Sequence, residues 1–177
     1  MLPSYSTFVT ASTGIAAINI GGITLHSFSG IGLGDAAVDE LVERISNGFH
    51  LTWWQRCKTL VIDEISMIDA DLFDKLEIIA RIVRKNKNPF GGIQLVICGD
   101  FFQLPPVGRA EEGEQKKFCF QAESWKRCMQ SVIELKEVFR QADEVFVNVL
   151  NEIRHGVCSK ASLDILMTCK NTELKAM

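Results

Sequence analysis

Asp63 and Glu64 close a continuous apolar run, Leu60-Val61-Ile62, and lead into Ile65-Ser66-Met67. Such a run reads as a buried strand. An acidic pair at a strand end suits nucleotide hydrolysis. The first carboxylate holds Mg²⁺, mostly through water, because that ion keeps much of its hydration shell. The second polarises an attacking water. Two solvated acids at a strand end fit the same pattern. Gln103 sits in Gly99-Asp100-Phe101-Phe102-Gln103-Leu104-Pro105-Pro106, after a second apolar run over 93–98. A glutamine on a proline-stiffened loop can contact a γ-phosphate or orient water, and it also fits a plain surface turn. Arg140, in Leu135-Lys136-Glu137-Val138-Phe139-Arg140-Gln141, can neutralise charge on a transferred phosphoryl group. Most arginines do no more than meet solvent.

A further polar set lies near the N-terminus: Thr10, Ser12 and Thr13, then Thr24 and His26. Hydroxyls and backbone N–H groups at a helix start are good partners for phosphate oxygens. His26 and Phe28 can touch a sugar or stack on a base. A hydrogen-bonded structural histidine is the plainer reading of His26.

The elements that must position these residues alternate between strand and helix. A β-prone run over 7–10 precedes a short capped helix over 15–19, ended by Gly21-Gly22. A second short run spans 23–28, and a Gly-rich loop spans 29–34. Residues 35–46 read as an amphipathic helix. The longest helix is expected over 69–85, with Leu72, Leu76, Ile79 and Val83 on one stripe. A polar surface insertion is expected around 111–117, and short elements over 118–120, 123–129 and 132–135. A last helix over 144–155 precedes a tail, 159–177, with no clear closing element. Trp53-Trp54 reads as packing rather than as a stacking platform. Apolar strands without alternation, separated by helices, predict an α/β fold with a parallel sheet covered on both faces. Ligands of such sheets bind beyond the carboxyl ends of the strands, where both Asp63-Glu64 and Gly99-Asp100 fall.

Taken together, in this order, these segments fit one family. The strings TASTGIAA, TLHSFSGIGLG, VIDEISM, PFGGIQLVICGDFFQLPPV and LKEVFRQ closely resemble the PIF-one (petite integration frequency) DNA helicases, from about Thr7 to about Gly156. The resemblance implies a RecA-like P-loop NTPase fold, three-layer αβα with a mostly parallel sheet. It makes residues 1–156 part of the first motor domain and 157–177 a truncated extension toward the second. It implies that Asp63 is the Mg²⁺-associated acid and Glu64 the catalytic base. Gln103 would sense the γ-phosphate and Arg140 would be the arginine finger. Thr10, Ser12, Thr13, Thr24 and His26 would lie near single-stranded DNA. The implied activity is ATP-driven movement along that strand from five-prime to three-prime, unwinding duplex junctions and G-quadruplexes. The implied roles are telomere maintenance, repair and recombination, in the nucleus or mitochondrion.

One expected part is missing. The family's phosphate loop reads G-x-x-x-x-G-K-[ST], and these 177 residues contain no Gly-Lys dipeptide. The strand and helix that carry it would precede Met1, and the second motor domain would follow the carboxyl end. The expectation is an incomplete helicase, inactive alone: a gene-model fragment, a truncated product or a decayed copy. A non-catalytic module that binds DNA or a partner is the alternative.

Composition bounds these readings. Hydrophobic residues make up 47% and charged residues 23%, the balance of a globular domain. The net charge of −3 lends no support to nucleic-acid binding over the whole surface. No run of about eighteen apolar residues exists, so no membrane span is expected. The N-terminus has neither a basic region nor a long apolar stretch, so it does not read as a secretory signal. The six cysteines form no C-x-x-C pair, which argues for reduced thiols in an intracellular protein and against zinc.

Overall fold

In the computed structural model, which describes residues 6–106 and 116–170, four strands share one sheet. They are β1 (Thr7–Ala11), β2 (Ile23–Thr24), β3 (Thr59–Asp63) and β4 (Gln94–Ile97). Every pairing is parallel, in the order β2-β1-β3-β4. The register aligns Thr10 with Ile62 and Ile97, and Val9 with Val61 and Val96. Parallel neighbours need crossovers, and helices supply them.

Between β1 and β2 lies α1 (Gly14–Asn19), capped by the Thr13 hydroxyl accepting from the amide of Ala16 at 3.2 Å. The run over 23–28 splits. Thr24 ends β2 and caps α2 (Leu25–Ser29), its hydroxyl accepting from the amide of Ser27. Then come α3 (Val38–Ser46), which starts three residues later than expected, and α4 (His50–Arg56). The long helix is α5 (Ala70–Val83), with Asp69 as its cap.

Within the unit ending at Val132, the core lies on one side of the sheet. Phe8 of β1 packs at a tilt against Phe28 of α2, ring centroids 4.9 Å apart, and touches Trp53 of α4. Trp54, Phe73, Phe90, Leu76 and Ile79 are fully buried, as are Leu60 and Ile62. The indole N–H of Trp54 donates to the Ser29 carbonyl, so the Trp pair is packing, as expected. Arg84 donates to the carbonyls of Trp54, Gln55, Cys57 and Gly91, pinning the turn before β3. Glu77 of α5 is wholly buried and paired at 2.9 Å with both Arg81 and Arg127.

The opposite face is less well covered. Its row runs from Val9 and Val61, both half-buried, to Val96, which is 39% exposed. Among the described residues β4 pairs only with β3, so its outer edge carries no strand. A cleft of about 610 Å³ runs beside it, lined by Pro89, Gln94, Leu95, Ile97 and Met129 among others.

Several short expectations are corrected. Phe118 makes a single bridge to Asp69, and a 3₁₀ turn over Cys119–Gln121 replaces a strand. The helix over 123–129 shrinks to α6 (Trp125–Cys128). Residues 132–135 form no strand: Val132, Ile133 and Leu135 are at least 83% exposed. Among the described residues their β-propensity meets no strand to pair with. Most of the expected insertion over 111–117 lies outside the described residues.

The second unit begins at Ile133. It holds α7 (Glu144–Arg154), capped by Asp143, and α8 (Lys160–Cys169), capped by Ser159. α8 lies in the tail where no closing element was expected. The Glu152 carboxylate accepts from the amide of Ser159 and ties the two helices. Its pKa is lowered by that bond. Among the described residues, no helix is long and apolar enough to cross a membrane.

Candidate functional site

The acidic pair sits where β3 and β4 stop together. The amide of Cys98 donates to the Ile62 carbonyl at 2.9 Å, and the amide of Ile65 returns to the Cys98 carbonyl at 3.1 Å. Asp63 is thus fixed at the carboxyl end of a buried strand. One of its carboxylate oxygens accepts from the amide of Glu64 at 3.0 Å, and its carbonyl accepts from the amide of Ser12 at 3.1 Å. Glu64 has φ 53° and ψ 45°. That left-handed geometry costs an L-residue about 1–2 kcal/mol. It persists because bonds on both sides determine it, and such strain gathers at functional sites.

Gly99 allows this close approach. A Cβ there would lie 2.9 Å from the amide nitrogen and Cγ2 of Ile65. After it the chain folds into a tight turn around Asp100. One carboxylate oxygen accepts from the amide of Phe102, and the other from the side-chain amide of Gln103, both at 3.0 Å. Phe101 anchors the turn with its edge on Phe120 at 4.8 Å and on Phe118 at 5.8 Å. The β3 and β4 ends therefore bring the acidic turn and the Gln103 turn to one end of the sheet. The sequence placed Gly99-Asp100 at the strand end but assigned Asp100 no role of its own. Its spacing to Phe102 and Gln103 is that of an Asx turn, which was the available signal.

The remaining candidates divide. Ser12 keeps its hydroxyl buried with no hydrogen-bond partner. Thr13 and Thr24 spend theirs on helix caps, and Thr24 also pairs with the Ser27 hydroxyl at 2.7 Å. Thr10 corrects the expectation. It is completely buried and donates to the Val61 carbonyl at 2.7 Å, so it presents nothing to a DNA strand. Its place in register with Ile62 puts it inside the core. His26 is half-buried, and burial lowers its pKa against the opposing pull of Asp69 and Asp35. Arg140 belongs to the second unit, on an exposed stretch outside any helix or strand.

Among the described residues no group of three or more His, Cys, Asp or Glu side chains is placed to hold a metal. A hard cation held by one carboxylate together with water and phosphate oxygens needs no such cage. Asp63, with one oxygen spent on Glu64, fits that donor set.

The PIF1-like helicase family model matches residues 3–163. This chain belongs to the PIF1-like helicase family. It is 54% identical over 164 residues to the ATP-dependent DNA helicase RRM3 of Saccharomyces cerevisiae, covering 92% of this chain and 22% of that protein. It is 54% identical over 158 residues to the ATP-dependent DNA helicase PIF1 of Mus musculus, covering 89% of this chain and 24% of that protein. The chain thus spans about a quarter of the length of these curated relatives. Its fold matches the crystal structure of Pif1 helicase from Candida albicans with a TM-score of 0.90 and 46% identity, over 98% of this chain and 39% of that one. It matches Pif1 helicase from Bacteroides, solved in complex with ADP-AlF3 and ssDNA, with a TM-score of 0.84 and 37% identity, over 99% of this chain and 42% of that one. The RecA-like α/β reading is therefore correct, and this PIF1-like chain is a fragment of the helicase domain.

Proposed function

We propose that this chain is part of the first motor domain of an ATP-dependent DNA helicase that moves from five-prime to three-prime along single-stranded DNA. The observation that carries this reading is the joint ending of β3 and β4. It sets the strained Asp63-Glu64 turn beside the Gln103 turn at the carboxyl end of a parallel sheet. In the reading, Asp63 associates with Mg²⁺ and Glu64 takes a proton from the attacking water. Gln103 meets the γ-phosphate or that water, and Arg140 offsets charge on the transferred phosphoryl group. Bound Mg²⁺ neutralises charge on the phosphate oxygens. Ser12, Thr13, Thr24 and His26 lie near the single strand. Thr10 supports the sheet beneath them. By the same reading the whole protein acts on duplex junctions and G-quadruplexes, in telomere maintenance, repair and recombination, in the nucleus or mitochondrion.

The reading also holds that this chain is inactive alone. With no Gly-Lys dipeptide it offers no phosphate-loop lysine for the β- and γ-phosphates. The unpaired edge of β4 and the exposed Val96 support a sheet that takes a further strand there. The test is to join the chain to a phosphate-loop strand and helix and to a second motor domain. DNA-stimulated ATP hydrolysis is expected from the joined protein and none from the 177 residues alone. Turnover by the 177 residues alone would contradict the inactivity; no turnover by the joined protein would contradict the motor reading.

A further inference from the structure

Asp100 has no part in the function proposed above, yet it holds the one side chain there whose role was left between two choices. Its second carboxylate oxygen lies 3.0 Å from the terminal nitrogen of Gln103. A carboxylate only accepts, so the end of the Gln103 amide facing it must be the NH₂ group. The amide's orientation thus follows from chemistry. The other Asp100 oxygen accepts from the amide of Phe102, and the Asp100 carbonyl accepts from the amide of Gln103 at 3.0 Å. Phe101, between them, is anchored on Phe118 and Phe120. The carboxylate is therefore itself held, and it can hold Gln103 in turn.

We infer that Asp100 is a positioning residue that fixes the Gln103 amide with its oxygen as the working end. This rests on the motor reading and narrows it. A γ-phosphate oxygen is an acceptor and is poorly served by another acceptor. An attacking water has two O–H donors, and the Gln103 oxygen can accept one while Glu64 accepts the other. Gln103 then orients the nucleophile through its oxygen, and only the second N–H of its amide, the one not given to Asp100, is left to meet a phosphate oxygen. No bond is made or broken at Gln103 or Asp100.

Asp100→Asn is the discriminating substitution. Asn keeps an oxygen for the amide of Phe102 but sets an NH₂ against the NH₂ of Gln103, so the Gln103 amide must turn over or leave. In the joined motor, Asp100→Asn should lower kcat on the order of 10²-fold, the scale of a misplaced reacting group, with KM for ATP unchanged. Asp100→Asn combined with Gln103→Ala should be no slower than Gln103→Ala alone, since the first acts through the second. A rise in KM at unchanged kcat, or additive losses, would overturn the inference. So would parental kinetics for Asp100→Asn where Gln103→Ala is impaired. If Gln103→Ala itself keeps the parent's kcat, the assignment of Gln103 fails and this inference fails with it. An independent readout uses the 177-residue chain and the side-chain amide resonances of Gln103, identified by their loss in Gln103→Ala. They should shift in Asp100→Asn. Resonances at the positions of solvated glutamine that do not move would overturn the inference without touching the motor reading.

Discussion

The amide of Ile65 donates to the carbonyl of Cys98 at 3.1 Å, joining the turn that follows Glu64 to the end of the neighbouring strand. This one bond crosses between the two segments that hold the candidate chemistry. It requires Gly99, because a Cβ there would come within 2.9 Å of the Ile65 nitrogen. Gly99→Ala should lower stability by about 1–3 kcal/mol. Chemical denaturation checks this, and an unchanged midpoint would show that the two turns are not in close contact.

Glu77 should matter far more than a surface acid. Its carboxylate is fully buried between Arg81 of its own helix and Arg127 of α6. Removing one member of a buried charge cluster leaves the others uncompensated, at about 3–5 kcal/mol. Both arginines are partly exposed, so the lower end applies. Glu77→Ala should therefore melt well below the parent, and Glu77→Gln between the two. Equal melting of Glu77→Ala and parent would contradict the clamp.

Buried thiols give the fold a pH dependence. Burial pushes Cys57 and Cys119 up to about 12 from an ordinary value of 9.0. Below pH 9 these thiols are protonated whether the chain is folded or not, and they add no slope. Between 9 and 12 the unfolded chain loses their protons while the folded chain keeps them. Stability then falls as pH rises, by at most about 1.4 kcal/mol per unit for each thiol. Denaturation midpoints across that window should fall less steeply in Cys57→Ala than in the parent. Parallel curves would show that Cys57 ionises equally in both states.

The thinly covered sheet face and the edge of β4, unpaired among the described residues, should make the isolated chain self-associate. Val96 is exposed in a strand whose sequence is that of a buried one. Sedimentation should show larger species as concentration rises, and Val96→Lys should reduce them. A sharply melting monomer at all concentrations would contradict this.

Much of this was legible in the chain itself. Asp63 and Glu64 follow an unbroken apolar run, and a parallel strand leaves such residues at its carboxyl end. The apolar stripe through Leu76 and Ile79 placed α5 to within two residues. Other features depend on tertiary context. The left-handed backbone of Glu64 comes from its bonds to neighbours, since glutamate has no such preference. Thr10 reads as a surface hydroxyl, yet its register beside Ile62 buries it. Residues 23–28 look β-prone throughout, but Thr24 is a capping residue and starts a helix there. Residues 132–135 have the composition of a strand without a partner. The polarity of the Gln103 amide needed the position of Asp100.

The most direct measurement is the ATPase rate of the joined motor carrying Glu64→Gln. Glutamine preserves the shape of the side chain and removes its capacity to accept a proton. The account predicts a loss of kcat of about 10²-fold or more, with ATP still bound. A rate equal to the parent's would contradict the assignment of Glu64 as the base.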